Sequence, residues 1–432
     1  MNRGALSPSS ALPLVYFVGA HVGLAAALLI LVLDPALPGA YVLHPRMAAV
    51  VHLVTIAWIS GSILGAFYVV APLALGMPLP VGRGDWMACG AFFMGTAGMV
   101  LHFWNGRYDV MAGAGCLVLS AVVWLAVRAA RGARRSTAPW PVLLHVLLAF
   151  ANMIAAALFG IVLGIDRVTG VFGWPPVAAA FAHAHLAAIG WPLLMVVGLA
   201  YRLVPMFLPA RMPSGAGLAL SAVLIEAGLA VLVVGVLRDS VAAPAGALVI
   251  AAGLASFVRQ MRGAVKQRLP RPPALPRRDW STWQTHAALL WLIIAATLGI
   301  VLTLTAGHSW RPRLMWVYGV AGLVGFIAQI VVGIQGRLVP MYAYYRAMAS
   351  RGGVPPERAA NALPSAAFAR PIFIAWSVGV PALAVGLASG HQPSIVMAAG
   401  VMLAGVSLGL AYVLWLVREA SRPLPSAITP AT

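Results

Sequence analysis

The sequence is poor in charged residues. Only 9% of its 432 residues are Asp, Glu, Lys or Arg, and 62% are hydrophobic, with a mean hydropathy of +0.94. This composition excludes an ordinary soluble globular protein. Apolar runs long enough to cross about 30 Å of hydrocarbon recur along the chain. We therefore predict a polytopic, all-α integral membrane protein that forms a single membrane domain over residues 1–432, with the lipid bilayer as its main partner.

Cysteine and acidic residues are also scarce. Cys89 and Cys116 lie in separate apolar runs without a C-x-x-C or C-x-x-C-H motif. This pattern excludes a disulfide framework and a covalently attached c-type haem. The formal net charge is +19 because only nine acidic residues oppose 28 basic ones. The basic residues lie in short loops between apolar runs, so we do not expect a nucleic-acid partner.

Twelve apolar runs are predicted to span the membrane. The first is too long for a signal-peptide core and lacks a small-residue cleavage site, so we retain it as a span. The predicted spans are 12–33, 47–75, 86–104, 110–128, 140–164, 177–207, 216–237, 241–259, 283–306, 314–341, 367–389 and 393–417.

Basic residues divide unequally between alternate loops. One set of loops holds only Arg46, Arg107, Arg167, Arg238, Arg311 and Arg313, and the other set holds the remaining lysine and arginine residues. Because cytoplasmic loops carry an excess of Lys and Arg, this pattern predicts cytoplasmic termini. Spans two, six and ten would then begin at the outer side of a bacterial inner membrane.

The chain also repeats itself. Span six ends in YRLVPMF from Tyr201, and span ten ends in GRLVPMY from Gly336. Span two fits the same frame and pairs His52 with His185, Trp58 with Trp191, Gly65 with Gly198 and Tyr68 with Tyr201. Such internal similarity indicates three four-helix repeats, at about 1–135, 136–275 and 276–432.

Two histidines, His183 and His185, begin the apolar part of span six, in AHAHLAAIGW. Positions i and i+2 on a helix point about 200° apart, so the two imidazoles face different neighbours. An ionisable residue within a membrane span is a candidate functional residue by default.

Three four-helix repeats with an H-x-H helix resemble subunit I of the haem–copper oxidase superfamily, most closely the C-family (cbb-type) cytochrome c oxidases. The family's tenth helix is similar to the segment containing His183, His185, Gly190, Trp191 and Tyr201-Leu203-Val204-Pro205. The family's nitric oxide reductases share the fold, and NnrS-like haem proteins are similar as well. The resemblance implies haem, redox chemistry and a diatomic gas.

Two departures from that family concern copper. The H-x-H helix belongs to the second repeat here and to the third repeat in the oxidases. This chain has no His-His pair and no histidine in span seven, where the family completes its copper site. Copper favours several convergent imidazoles. Copper is therefore doubtful, and we do not expect the usual catalytic copper site.

The repeats suggest where haem would bind. If His52 faces the second repeat, His183 faces back towards it, and the two predict a low-spin, bis-His b-type haem. His185 would face Tyr318, the counterpart of His183 in the third repeat. A second, five-coordinate haem on His185 with Tyr318 on its open side is an extension of this hypothesis.

Other polar residues leave two interpretations open. Arg46, Arg167, Arg311 and Arg313 on the outer side pair with haem propionates or with lipid headgroups. Glu226, the carboxylate well inside a span, delivers protons or makes a structural hydrogen bond. Gln329 and Gln335 favour hydrogen bonds between helices. His21, His145 and His286 favour structural roles.

We therefore predict a haem-binding redox protein that handles electrons, NO or O₂, and an oxidoreductase if it is catalytic. An electron donor or small accessory subunit is a further expected partner. The alternatives are an NnrS-like protein of nitric oxide or metal stress, and a transporter or sensor whose histidines bind metal ions or protons.

Overall fold

The computed structural model describes residues 8, 10–39, 43–270, 279–305 and 307–422. These residues form helices and turns and contain no β-strand. Four of the basic residues used to predict the orientation lie outside the described residues, namely Arg3, Arg271, Arg277 and Arg278.

Twelve helices are long and apolar enough to cross a membrane, which confirms the predicted number of spans and indicates a multi-pass, lipid-embedded chain. In chain order they are α1 (Leu12–Leu33), α2 (Pro45–Ala74), α3 (Arg83–Trp104), α4 (Tyr108–Ala133), α5 (Trp140–Thr169), α6 (Pro176–Phe207), α7 (Gly217–Leu237), α8 (Ala242–Lys266), α9 (Trp280–Leu304), α10 (Arg311–Ser350), α11 (Ala366–Ser389) and α12 (Gln392–Ala420).

The largest difference from prediction is at α10. The sequence pattern ends the span at residue 341, whereas the helix continues to Ser350. The helix continues beyond its apolar residues, because the polar segment YAYYRAMAS that follows them contains no glycine or proline to end the backbone hydrogen bonding. Gly352 and Gly353, both with positive φ, follow the end of the helix.

The helices α2, α6 and α10 share an unusual backbone feature. Each contains a π-helical segment, at Leu53–Ser60, Ile189–Leu193 and Val320–Ala328. The three segments end at positions that the sequence repeats match, Ser60, Leu193 and Ala328. π-Helical turns are rare and occur frequently at functional sites. The N-terminal parts of these three helices, which come before the matched ends, are therefore candidate functional segments.

Glycine brings each of these helices close to the helix before it. A methyl group on Gly65 would lie 2.7 Å from Tyr16 Cβ, and one on Gly198 would lie 2.4 Å from His145 Cβ. A methyl group on the third matched glycine, Gly333, would lie 2.7 Å from a side-chain oxygen of α9. The three helix pairs α1–α2, α5–α6 and α9–α10 thus approach at the same sequence position. Small residues allow this close packing in membrane bundles.

The bundle closes on itself, because α12 packs along α1 while α4 packs on α5 and α8 on α9. Three tryptophans, Trp58, Trp191 and Trp376, are among the largest fully buried side chains. Trp58 and Trp376 stack with ring centroids 6.4 Å apart. The aromatic centre of the bundle thus joins the first repeat to the third.

Candidate functional site

Four chemically active side chains lie on the N-terminal halves of α2, α6 and α10. His52, His183, His185 and Tyr318 are each surrounded by protein but keep part of their surface accessible. Among the described residues, these three half-helices make no extensive backbone contact with one another. These half-helices are therefore separated from one another, and we call the gap between them, together with the four side chains, the histidine cleft.

His52 is held by its own helix. Its Nδ1 donates a hydrogen bond of 2.7 Å to the carbonyl oxygen of Ala48, one turn earlier. Its ring packs against Phe103 of α3, with centroids 4.7 Å apart. Ligating histidines commonly fix their ring by donating the second N–H to a backbone carbonyl. The arrangement leaves Nε2 as the nitrogen with a lone pair for a ligand.

His183 lies on the N-terminal half of α6, near His52. It packs directly on α5, because a methyl group on Gly160 would lie 2.9 Å from its Cε1. Its buried Nδ1 makes no hydrogen bond of standard geometry within the described part of the chain, although the backbone of Ala156 on α5 lies within hydrogen-bonding reach of the ring. An unpaired buried polar atom is costly and needs an explanation such as an absent water or ligand.

His185 and Tyr318 contact each other as the repeat pattern predicts. Nδ1 of His185 donates to the carbonyl of Phe181 at 2.7 Å, and its Nε2 lies 2.9 Å from the hydroxyl of Tyr318. A hydrogen bond of this length leaves no room for an iron ion between the two atoms. A five-coordinate haem on His185 would require this bond to open, and that part of the hypothesis stays a prediction.

The cleft has a floor where α2 meets α6. Nε1 of Trp191 donates a hydrogen bond of 3.1 Å to Oγ of Ser60. Both residues lie eight positions after the cleft histidines of their helices, or about two helical turns. The two helices are thus joined below His52 and His183 and separate above the floor.

The four arginines predicted to lie on the outer side are not equivalent. Arg46 and Arg167 are exposed and lie over the rings of Trp104 at 5.0 Å and Tyr108 at 5.9 Å. Arg313 is exposed as well. Arg311 is half-buried, and its Nε is buried without a hydrogen-bond partner within the described ranges.

Arg311 is also in the right position relative to the cleft. It precedes Tyr318 by seven residues, or about two turns, and so shares its helix face. A residue five positions from Tyr318, such as Arg313, points to a different face. Of the four arginines, Arg311 is the one placed to meet an anionic group that extends out of the histidine cleft.

Glu226 makes a hydrogen bond between helices. Nδ2 of Asn152 on α5 donates 2.8 Å to the Glu226 carboxylate on α7. Asn152 packs against Gly190, which follows His183 by seven residues, or about 10 Å of helix. Glu226 therefore lies below the level of the cleft, and its role in proton delivery stays a prediction.

The remaining polar residues lie in different environments. Nδ1 of His21 and of His145 donates to the carbonyl one turn earlier, and His145 Nε2 lies 3.0 Å from Ser221 Oγ. His286 is exposed against Trp283. The expected helix–helix hydrogen bond of Gln335 is confirmed by its 3.1 Å contact with Ser62 Oγ. Gln329 is fully buried, and its amide has no partner among the residues described.

No group of three or more His, Cys, Asp or Glu side chains in the described residues could hold a metal ion. A pair of imidazoles is enough for the two axial positions of a haem iron, so the absence of a larger group has no bearing on the His52–His183 pair.

No family model matches this chain, and no curated protein matches it.

The histidine cleft offers defined chemistry. Two imidazoles from different helices lie near each other, a hydrogen-bonded His–Tyr pair is on the same half-helices, and the half-buried Arg311 lies two turns from Tyr318. The sequence predicted the residues and the His185–Tyr318 contact. It did not predict the π-helical segments or the role of Gly160, because neither a backbone register nor the approach of a neighbouring helix has a local signal.

Proposed function

We propose that this chain is a haem-binding membrane protein in which His52 and His183 provide the two axial ligands of one b-type haem. The observation that carries the proposal is the proximity of His52 on α2 to His183 on α6. His52 has its Nδ1 anchored to a backbone carbonyl, and the buried Nδ1 of His183 makes no hydrogen bond of standard geometry. Both features suit side chains that await a ligand.

A haem with two histidine ligands supplies one-electron transfer when it is bound. The protein would contribute orientation through the Ala48 carbonyl, packing through Phe103 and Gly160, and a cationic group through Arg311. His185 and Tyr318 would provide a hydrogen-bonded pair next to the iron ligands. We further propose that this pair faces a diatomic gas, NO or O₂, as the resemblance to haem–copper oxidases and NnrS-like proteins implies.

The proposal extends to architecture and place. We infer three four-helix repeats around α2, α6 and α10, supported by the matched π-helix ends and the matched close approaches of Gly65, Gly198 and Gly333. The alternating arginine distribution supports a bacterial inner membrane with both termini in the cytoplasm. The histidine cleft then lies in the outer half, where an electron donor or a small accessory subunit would bind.

Absorption spectroscopy on the purified protein tests the haem assignment. We expect a Soret band with low-spin, bis-His features, and we expect His52→Ala and His183→Ala each to convert or abolish that signal. His391→Ala is the matched control, because His391 is exposed and bonded to Ser394 at 2.8 Å. A low-spin spectrum that survives both cleft substitutions would refute the pairing. A colourless protein carrying a metal ion would favour the transporter or sensor alternative.

A further inference from the structure

One position in the repeats carries a tyrosine twice and a glycine once. Tyr68 and Tyr201 are 2% and 1% exposed, and Gly336 occupies their matched position on α10. The Tyr68 hydroxyl donates 2.8 Å to Asp85 Oδ1, and the Tyr201 hydroxyl lies 3.0 Å from Ser221 Oγ. The third repeat therefore lacks a buried aromatic ring and its hydroxyl.

The residue that faces this position also differs between repeats. The ring of Tyr16 lies 6.2 Å from that of Tyr68, and the ring of His145 lies 5.6 Å from that of Tyr201. Their counterpart in the third repeat is Gln284. In each repeat the matched glycine lies close to a backbone carbonyl of the preceding helix, which belongs to Pro13, Val142 or Ser281. Tyr16, His145 and Gln284 each come three positions after that carbonyl. The partner ring present in the first two repeats is missing for Gln284.

The Gln284 side chain is buried without the partner that its counterparts have. It is 2% exposed, and neither its Nε2 nor its Oε1 has a hydrogen-bond partner in the described chain. Leaving a buried donor or acceptor unpaired costs about 1–3 kcal/mol. A fully unpaired buried amide is therefore a strong indication that a polar group from outside the chain occupies the space beside it.

That space exists. A recess beside Gly336 is lined by Gln284, Ser281 and His21, and further by Trp280, Tyr412 and Ala369. His21 donates from Nδ1 to the Phe17 carbonyl at 2.8 Å, so in the neutral ring its Nε2 is an acceptor. In the first two repeats the tyrosine hydroxyl contacts the third residue of α3, Asp85, and the fifth residue of α7, Ser221. The fourth residue of the corresponding helix α11 is Ala369, which has no polar side chain. The recess thus has aromatic walls and hydrogen-bonding groups but lacks the tyrosine ring of the other two repeats.

We propose that this recess binds a hydroxylated six-membered ring, the chemistry of a phenol or of a quinol headgroup. A hydroxyl both donates and accepts, so it can accept from the Gln284 Nε2–H and donate to His21 Nε2. Trp280 and Tyr412 supply aromatic walls for the ring. The hydroxyl of the ligand takes the place of the hydroxyl that Tyr68 and Tyr201 provide in the other two repeats.

The size of the recess decides how the ring lies. The cavity measures about 50 Å³, enough for a few water molecules, whereas a benzene ring fills a cavity of roughly 150 Å³. The recess is open on one side. The hydroxyl edge of the ring therefore enters among Gln284, Ser281 and His21, and the opposite edge stays in the mouth, where the tail of a quinol has room to leave.

Binding measurements on the purified full chain test this inference independently of haem. We would titrate phenol and a short-chain ubiquinol analogue by isothermal calorimetry in detergent. Gly336→Tyr places the side chain of the other repeats in the recess, and we expect it to weaken binding by at least about tenfold. Gln284→Leu keeps the volume but removes the amide, and we expect a loss of about two- to tenfold.

Gly400→Tyr is the control for Gly336→Tyr, because a side chain that begins at Gly400 meets nothing within 4 Å and Gly400 lies outside the recess. Binding of both compounds with these losses supports a quinol headgroup, and binding of phenol alone supports a free phenol. If neither compound binds saturably, or if both variants bind like the parent, the recess holds water only and the inference is overturned. Should Gly336→Tyr fail to fold by thermal melting, the Gln284→Leu result decides.

Discussion

The hydroxyl of Tyr318 and Nε2 of His185 lie 2.9 Å apart and join α10 to α6 inside the histidine cleft. Their rings are nearly parallel, with centroids 5.9 Å apart and an interplanar angle of 24°. The two residues are separated by more than a hundred positions in sequence. The contact therefore fixes how the N-terminal halves of α6 and α10 are set against each other.

Tyr318→Phe separates the structural part of this contact from the haem ligands. Removing the hydroxyl leaves the His185 nitrogen without its partner, so we expect the protein to lose about 1 kcal/mol of stability. The low-spin spectrum assigned to His52 and His183 should persist. Thermal melting and absorption spectra of the same preparation provide both readings, and loss of the low-spin signal would show that Tyr318 supports the iron ligands directly.

Arg311→Ala tests which outer-side arginine serves the cleft. The buried, unpaired Nε of Arg311 and its position two turns above Tyr318 predict that it neutralises an anionic group of the ligand. We expect Arg311→Ala to lower the haem content of the purified protein by about tenfold, the equivalent of 1.4 kcal/mol. Arg313→Ala, an exposed neighbour, is the control. Equal haem content in the two variants would contradict the assignment.

Asp85 and Asp109 form a matched pair for stability. Asp85 is fully buried and accepts hydrogen bonds from Tyr68, Trp124, the Gly82 amide and Arg128. Removing one partner of a buried ion pair costs about 3–5 kcal/mol, because the other charge is left uncompensated, so Asp85→Ala should be strongly destabilising.

The exposed pair of Asp109 and Arg107 should contribute little to stability, because water screens both charges. Asp109→Ala is accordingly expected to melt within a few degrees of the parent protein. Chemical or thermal unfolding in detergent compares the two variants, and a similar loss for both would show that the Asp85 network does not hold α2, α3 and α4 together.

Gly198→Ala tests the close approach of α5 and α6. Its methyl group would lie 2.4 Å from His145 Cβ, an atom fixed to the backbone, so the helices must move apart. We expect a loss of about 1–3 kcal/mol or more from overpacking. Gly113→Ala, which meets nothing within 4 Å, should be neutral or stabilising by up to about 1 kcal/mol. Melting curves that rank the two variants in the opposite order would exclude tight packing at Gly198.

Much of this molecule follows from local sequence. Runs of apolar residues determine the number and position of the helices, because a bilayer satisfies no backbone polar group and only a helix bonds all of its own. The repeated RLVPM motif and the spacing of His183 and His185 likewise predicted which residues face neighbouring repeats. His185 and Tyr318 met as expected because helical phase, about 100° per residue, is a local property.

Only the tertiary structure determined the features that depend on contact between distant segments of the chain, namely burial, the rotational phase of packed helices and cavities. It placed His286 on the surface and made Gln284 the counterpart of His145, because the phase of one helix against its neighbour is set by packing. It distinguished Arg311 from three other arginines of identical chemistry by burial. It opened a recess at Gly336, since an absent side chain leaves a cavity only where the surrounding helices do not close around it.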